Sequence, residues 1–196
     1  MLISVRAHGD STGNVDDVGF GARLDVAAAV EWLDSRHPGL PVVIHGRSLG
    51  AAAAVFAAAK LPSRVAGYIL ECPYRDLATQ VRHRCALFLP PILDSVAATG
   101  LILAAHVLVP EAAATSPLEA IASMPAAARV LFLAGGADQR AHLVESQDLL
   151  ARCPARARLE VFEGADHLEL QVKEPERYER LIAEFVDEVG STSEDR

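Results

Sequence analysis

Aromatic side chains are scarce, at 5% of 196 residues with a single Trp, and cysteine is scarcer still, with three residues at positions 72, 85 and 153. An odd number of cysteines without C-x-x-C spacing offers neither a disulfide framework nor a zinc cluster. No metal and no cofactor is therefore expected, and a reducing, cytoplasmic compartment fits the chain best. Basic residues are in deficit as well. The 18 Lys and Arg stand against 26 Asp and Glu, and the formal charge of −8 repels a nucleic-acid backbone or an anionic membrane surface. No basic start leads into a long apolar run, because residues 1–5 meet Arg6 and the turn-like His8-Gly9-Asp10, so no secretory signal is read. The uncharged run at 95–109 falls short of the ~20 residues a transmembrane helix needs.

What is present is a globular composition, 51% hydrophobic and 22% charged and rich in Ala, at a length that suits one domain. Residues 2–5 read as a buried strand, and 9–21, rich in Gly, Asp, Ser and Thr, as a loop leading into a helix at 22–36. In that helix Leu24, Val26, Ala27, Val30 and Leu33 recur at helical spacing, and His37-Pro38-Gly39 stops it. Residues 41–45 form a β-branched strand followed by a Gly-flanked turn and an Ala-rich helix. Further continuous apolar strands are predicted at 65–70, 130–134 and 159–162, with helices at 143–152 and 175–189. Such alternation predicts an α/β fold, a mostly parallel sheet covered by helices on both faces. Residues 77–125 break the rhythm with apolar helical stretches and repeated prolines, and read as a helical insertion over the sheet. Residues 1–189 are thus taken as the domain and 190–196 as a disordered tail.

The chemistry centres on Gly46-Arg47-Ser48-Leu49-Gly50, a G-x-S-x-G pattern between an apolar strand and a helix. The turn would lift the Ser48 hydroxyl to a helix N-terminus, where backbone N–H groups favour developing negative charge. The plain alternative is a serine that merely caps the helix. A serine nucleophile needs a base, and the base needs a carboxylate to hold it. Asp138, just beyond the strand at 130–134, and His167, just beyond the strand at 159–162, follow Ser48 in the order this chemistry uses on a parallel sheet. His142 is the rival base and Glu71, at the end of the strand through Leu70, the rival acid.

At these residues the chain resembles the carboxyl-terminal three-quarters of an α/β-hydrolase, an N-terminally shortened member of the serine-hydrolase superfamily. The resemblance runs from Arg6-Ala7-His8-Gly9-Asp10-Ser11 through Gly46-Arg47-Ser48-Leu49-Gly50 to Gly164-Ala165-Asp166-His167, with Ala7 where the family usually has Gly. It implies Ser48 as nucleophile, Asp138 as acid, His167 as base, the N–H of Leu49 as one oxyanion donor, and 77–125 as a helical lid. The first strands of the family, and the loop that supplies a second oxyanion donor, have no counterpart before Met1. The expected function is hydrolysis of a small ester, thioester or amide with an apolar acyl part, through an acyl-enzyme. A silent scaffold that binds a ligand or partner, and a peptidase acting on short peptides, are the competing readings. An edge strand at residues 2–5 would be left open to pairing in a homodimer.

Overall fold

The computed structural model describes residues 1–114, 116–153 and 155–194. In chain order its elements are α1 (Arg23–Arg36), β1 (Val42–Arg47), α2 (Leu49–Ala58), β2 (Val65–Glu71), α3 (Leu77–Phe88), α4 (Leu93–Leu108), α5 (Pro110–Ala114), α6 (Pro117–Ala120) with a 3₁₀ turn at Ile121–Ser123, β3 (Arg129–Gly135), α7 (Leu143–Arg152), β4 (Arg156–Phe162), α8 (Leu170–Lys173) and α9 (Pro175–Glu194). Among the described residues the strands form one sheet in the order β1-β2-β3-β4, parallel throughout. Parallel neighbours need crossover helices, and those helices cover both faces. On one face α2, α7 and the Ile121 turn pack on Tyr68, Leu70, Val130 and Phe132; on the other, α8 and α9 pack on Ile69, Leu131 and Leu133. The odd and even positions of each strand therefore serve different layers, which is why the strands read as unbroken apolar runs. Their carboxyl ends share one edge of the sheet.

Residues 2–5 do not form the expected buried strand. Leu2 is fully exposed and Ile3 is 43% exposed. A strand exists only where a neighbour pairs its backbone, and the sheet ends at β1. Residues 1–5 instead run beside it across a cleft of about 320 Å³, walled by Ile3, Val5, Val30 and β1. The free edge of the sheet thus belongs to β1, not to residues 2–5. Arg6 anchors the segment through a bidentate ion pair with Asp25 of α1, at 2.8 Å from Nη2 to Oδ1.

The stretch read as a tail also differs. Helix α9 continues through residues 190–194, and residues 195–196 lie outside the described ones. Within 77–125 lie α3, α4, α5, α6 and the 3₁₀ turn. Asp76 caps α3 by accepting from the Thr79 N–H at 2.7 Å, and α4 folds back on α3. Of α4 only Ala98 is buried, while Val107 is 80% and Leu108 77% exposed. Among the described residues, no helix is long and apolar enough to cross a membrane.

Candidate functional site

Ser48 stands between β1 and α2 with φ 51° and ψ −111°, a conformation sparsely populated by residues other than glycine. Its N–H donates to the Glu71 carbonyl at 2.8 Å, so the ladder between β1 and β2 runs up to the turn and holds it there. The turn closes tightly on one side only. A Cβ on Gly46 would lie 2.3 Å from the Gly50 carbonyl oxygen, whereas one on Gly50 would meet nothing within 4 Å. The first glycine is thus a steric requirement of the turn and the second is not. Ser48 makes no side-chain cap bond to α2, which disposes of the reading as a mere helix cap. Leu49 opens α2, where N–H groups have no partner within the helix.

The hydroxyl of Ser48 lies 2.9 Å from Nε2 of His167, and Nδ1 of His167 lies 2.7 Å from Oδ2 of Asp138. An N–H on Nδ1 donating to the carboxylate leaves Nε2 as the acceptor of the serine proton. His167 and Asp138 are both buried. The other oxygen of Asp138 accepts from the backbone N–H groups of Arg140 at 2.8 Å and Ala141 at 2.9 Å. Burial by itself pushes the Asp138 carboxyl up, but the hydrogen bonds from His167, Ala141 and Arg140 outweigh it and hold the group below its ordinary value. The two loops meet closely because Gly135 has no side chain. A Cβ there would sit 2.4 Å from the Ala165 carbonyl oxygen.

The rivals go elsewhere. Glu71 is buried and faces α9, where it accepts from Tyr178 Oη at 2.7 Å and pairs with His45 at 3.2 Å and Arg47 at 2.9 Å. Burial would raise its carboxyl, yet these partners hold it low. His142 precedes α7, its backbone N–H donates to the Glu145 carboxylate at 2.9 Å, and its ring stacks on His83 with centroids 3.7 Å apart.

Cys72, which the sequence did not single out, lies beside the chain of three. Its Sγ, a carboxylate oxygen of Asp138 and a ring nitrogen of His167 all fall within 4.8 Å of one another. Among the described residues these atoms are the one gathered set of metal-ligand type, and two of the three are spent on each other. Burial and the adjacent Asp138 push the Cys72 thiol up, so it stays protonated and is no rival nucleophile. Its position directly after the last residue of β2 is the signal that could have found it.

In front of Ser48 opens a cleft of about 500 Å³. One wall is His8, Asp16 and Val18 from the loop before α1; the other is Leu77, Gln80, Val81 and Arg84 from α3, with Leu101 of α4. Tyr74 Oη donates to the Val18 carbonyl and ties the two walls together.

Residues 5–117, more than half of the chain, match the model of the Hydrolase_4 family, described as serine aminopeptidase, S33. The chain belongs to this family. Among curated proteins it is 28% identical over 201 residues to the uncharacterized protein YqkD of Bacillus subtilis, covering 99% of this chain and 64% of that one. It is 31% identical over 84 residues to protein bem46 of Schizosaccharomyces pombe, covering 41% and 27% of the two chains. The chain thus spans less than two thirds of the length of these relatives. Its fold resembles that of Pyrococcus furiosus esterase Pf2001, with a TM-score of 0.72 and 23% identity over 94% of this chain and 68% of that one. A second likeness is the α/β hydrolase GrgF from Penicillium sp. sh18, with a TM-score of 0.70 and 16% identity over 95% and 78%. The family and these neighbours agree on a shortened α/β-hydrolase fold.

Proposed function

We propose that the protein is a serine hydrolase acting on a small ester, thioester or amide with an apolar acyl part. The observation that carries this reading is the unbroken chain from the Ser48 hydroxyl through His167 to Asp138, at 2.9 and 2.7 Å. In this reading Nε2 of His167 takes the serine proton as Oγ attacks the carbonyl carbon, and Asp138 steadies the imidazolium that forms. The carbonyl oxygen, turning negative, is met by the Leu49 N–H at the start of α2. His167 returns the proton to the leaving group, and a water activated by the same nitrogen releases the acid from Ser48. Val18, Leu49, Leu77, Val81 and Leu101 support an apolar acyl group in the cleft.

A fluorophosphonate probe tests the reading. Stoichiometric labelling at Ser48, lost in Ser48→Ala and His167→Ala, is the expected outcome; well-folded protein that stays unlabelled would favour a ligand-binding scaffold. A second reading, cleavage of short peptides, is favoured by the family description and by the Asp16 carboxylate on the cleft wall, a partner for a protonated amino terminus. Faster turnover of aminoacyl anilides than of aryl esters of like size would establish it.

A further inference from the structure

Helix α3 turns Leu77, Gln80, Val81 and Arg84 toward the cleft, the spacing of a single helical face. Leucine or methionine would suit the second position if packing were all it did. Gln80 is only 6% exposed, and its Oε1 is buried without a hydrogen-bond donor among the described residues. Native interiors rarely leave such an oxygen unanswered. Arg84 shares the cleft wall with Gln80, and other polar groups nearby in the chain are engaged elsewhere. Asp76 accepts from Thr79, and Arg75 donates to Asp148 at 2.7 Å and to Thr79 Oγ1 at 3.0 Å. Gln80 lines the cleft that holds Ser48, and although Oε1 is itself buried, the last torsion of a glutamine is soft enough to turn that oxygen toward the cleft.

We propose that Gln80 is a specificity-determining residue whose carboxamide accepts a hydrogen bond from a hydroxyl on the substrate's otherwise apolar acyl chain. The favoured substrates are then hydroxyacyl compounds, not plain alkanoyl ones. This rests on the reading of the cleft as the acyl site of a serine hydrolase. A site that spends a buried polar group on a substrate hydroxyl discriminates against the analogue lacking the donor, because the oxygen is then left unanswered.

Binding to Ser48→Ala protein, measured by calorimetry, tests the proposal without requiring turnover. The ligands are methyl hexanoates hydroxylated in turn along the chain, each paired with its methoxy analogue, which keeps the oxygen and removes the donor. At one position the hydroxy compound should bind about fivefold tighter or better than its methoxy partner. Adding Gln80→Leu should erase that ratio, and Gln80→Met, unbranched and apolar, serves if the leucine variant does not fold. Three results would overturn the proposal: no ligand binds, no position shows the preference, or the preference survives loss of the carboxamide. A bound water that permanently satisfies Oε1 would give the second of these. If the preference holds while protein with Ser48 intact turns over none of the compounds, the hydrolase reading fails and the Gln80 assignment stands.

Discussion

At the scale of single residues, Ser48 combines the hydroxyl that meets His167 with a backbone φ of 51° that glycine would adopt freely. Ser48→Ala should cut hydrolysis of a short-chain aryl ester by about 10⁴-fold or more with little change in melting temperature. Ser48→Gly should be equally inactive but melt about 2–4 °C higher, since it releases roughly 1 kcal/mol of backbone strain. A glycine variant that melts lower than the alanine variant would show that the turn is not strained. The acid is decided by a comparison of two carboxylates. Asp138→Asn should lower turnover by about 10³–10⁴-fold through the wrong imidazole tautomer, whereas Glu71→Gln, whose partners are His45, Arg47 and Tyr178, should lower it far less. Steady-state kinetics of both variants check this, and the reverse ranking would move the acid to Glu71.

At the scale of elements, the turn from β1 to α2 is held by one glycine. Gly46→Ala drives a methyl group to within 2.3 Å of the Gly50 carbonyl and should cost about 3 kcal/mol or more, near 10 °C in melting temperature. Gly50→Ala, inside α2 with open space around its Cβ, should be neutral or stabilising by up to about 1 kcal/mol. Thermal melts of the two variants give opposite signs if the geometry is right. Helices α3 and α4 line one side of the cleft and leave Phe88, Val96, Leu103 and Val107 exposed. Over a series of aryl esters of growing acyl length, kcat/KM should rise from acetyl to a medium chain. Leu101→Trp, which narrows the cleft, should move the optimum to shorter chains, and an unchanged optimum would place the acyl group elsewhere.

For the whole molecule, carboxylates held by hydrogen bonds and ion pairs set the response to acid. Asp138, Glu71 and Asp76 each titrate below their ordinary values in the folded protein, because hydrogen bonds and neighbouring cations outweigh the effect of burial. Their stabilisation is complete above the ordinary values of 3.8 for Asp and 4.5 for Glu, and is lost as the pH falls through the lower folded ones. Glu145 has the opposite sign. Burial outweighs its hydrogen bonds and raises its carboxyl, so its contribution weakens as the pH rises through the window above 4.5. Melting temperature measured from pH 3 to 7 should therefore fall steeply below about pH 4, and Glu71→Gln should flatten part of that slope. A slope unchanged in the variant would mean that Glu71 titrates alike in the folded and unfolded chains.

The alternation of apolar strands and helices and the parallel sheet were legible in the chain itself, because each rests on a local pattern of residues that lie close in sequence, and Ser48, Asp138 and His167 could be picked out because each follows such a strand. Only tertiary structure shows which of Asp138 and Glu71 lies against the ring of His167. Both stand at the carboxyl ends of strands, but Glu71 is on the parity of β2 that faces α9, and which parity faces which layer is settled by packing. The fate of residues 2–5 was beyond sequence for a similar reason, since an apolar run becomes a strand only when a distant segment pairs with it. Cys72 and Gln80 carried no pattern of their own. Their places beside Asp138 and in the wall of the cleft come from contacts made when β2, α3 and the loop after β3 close on one another.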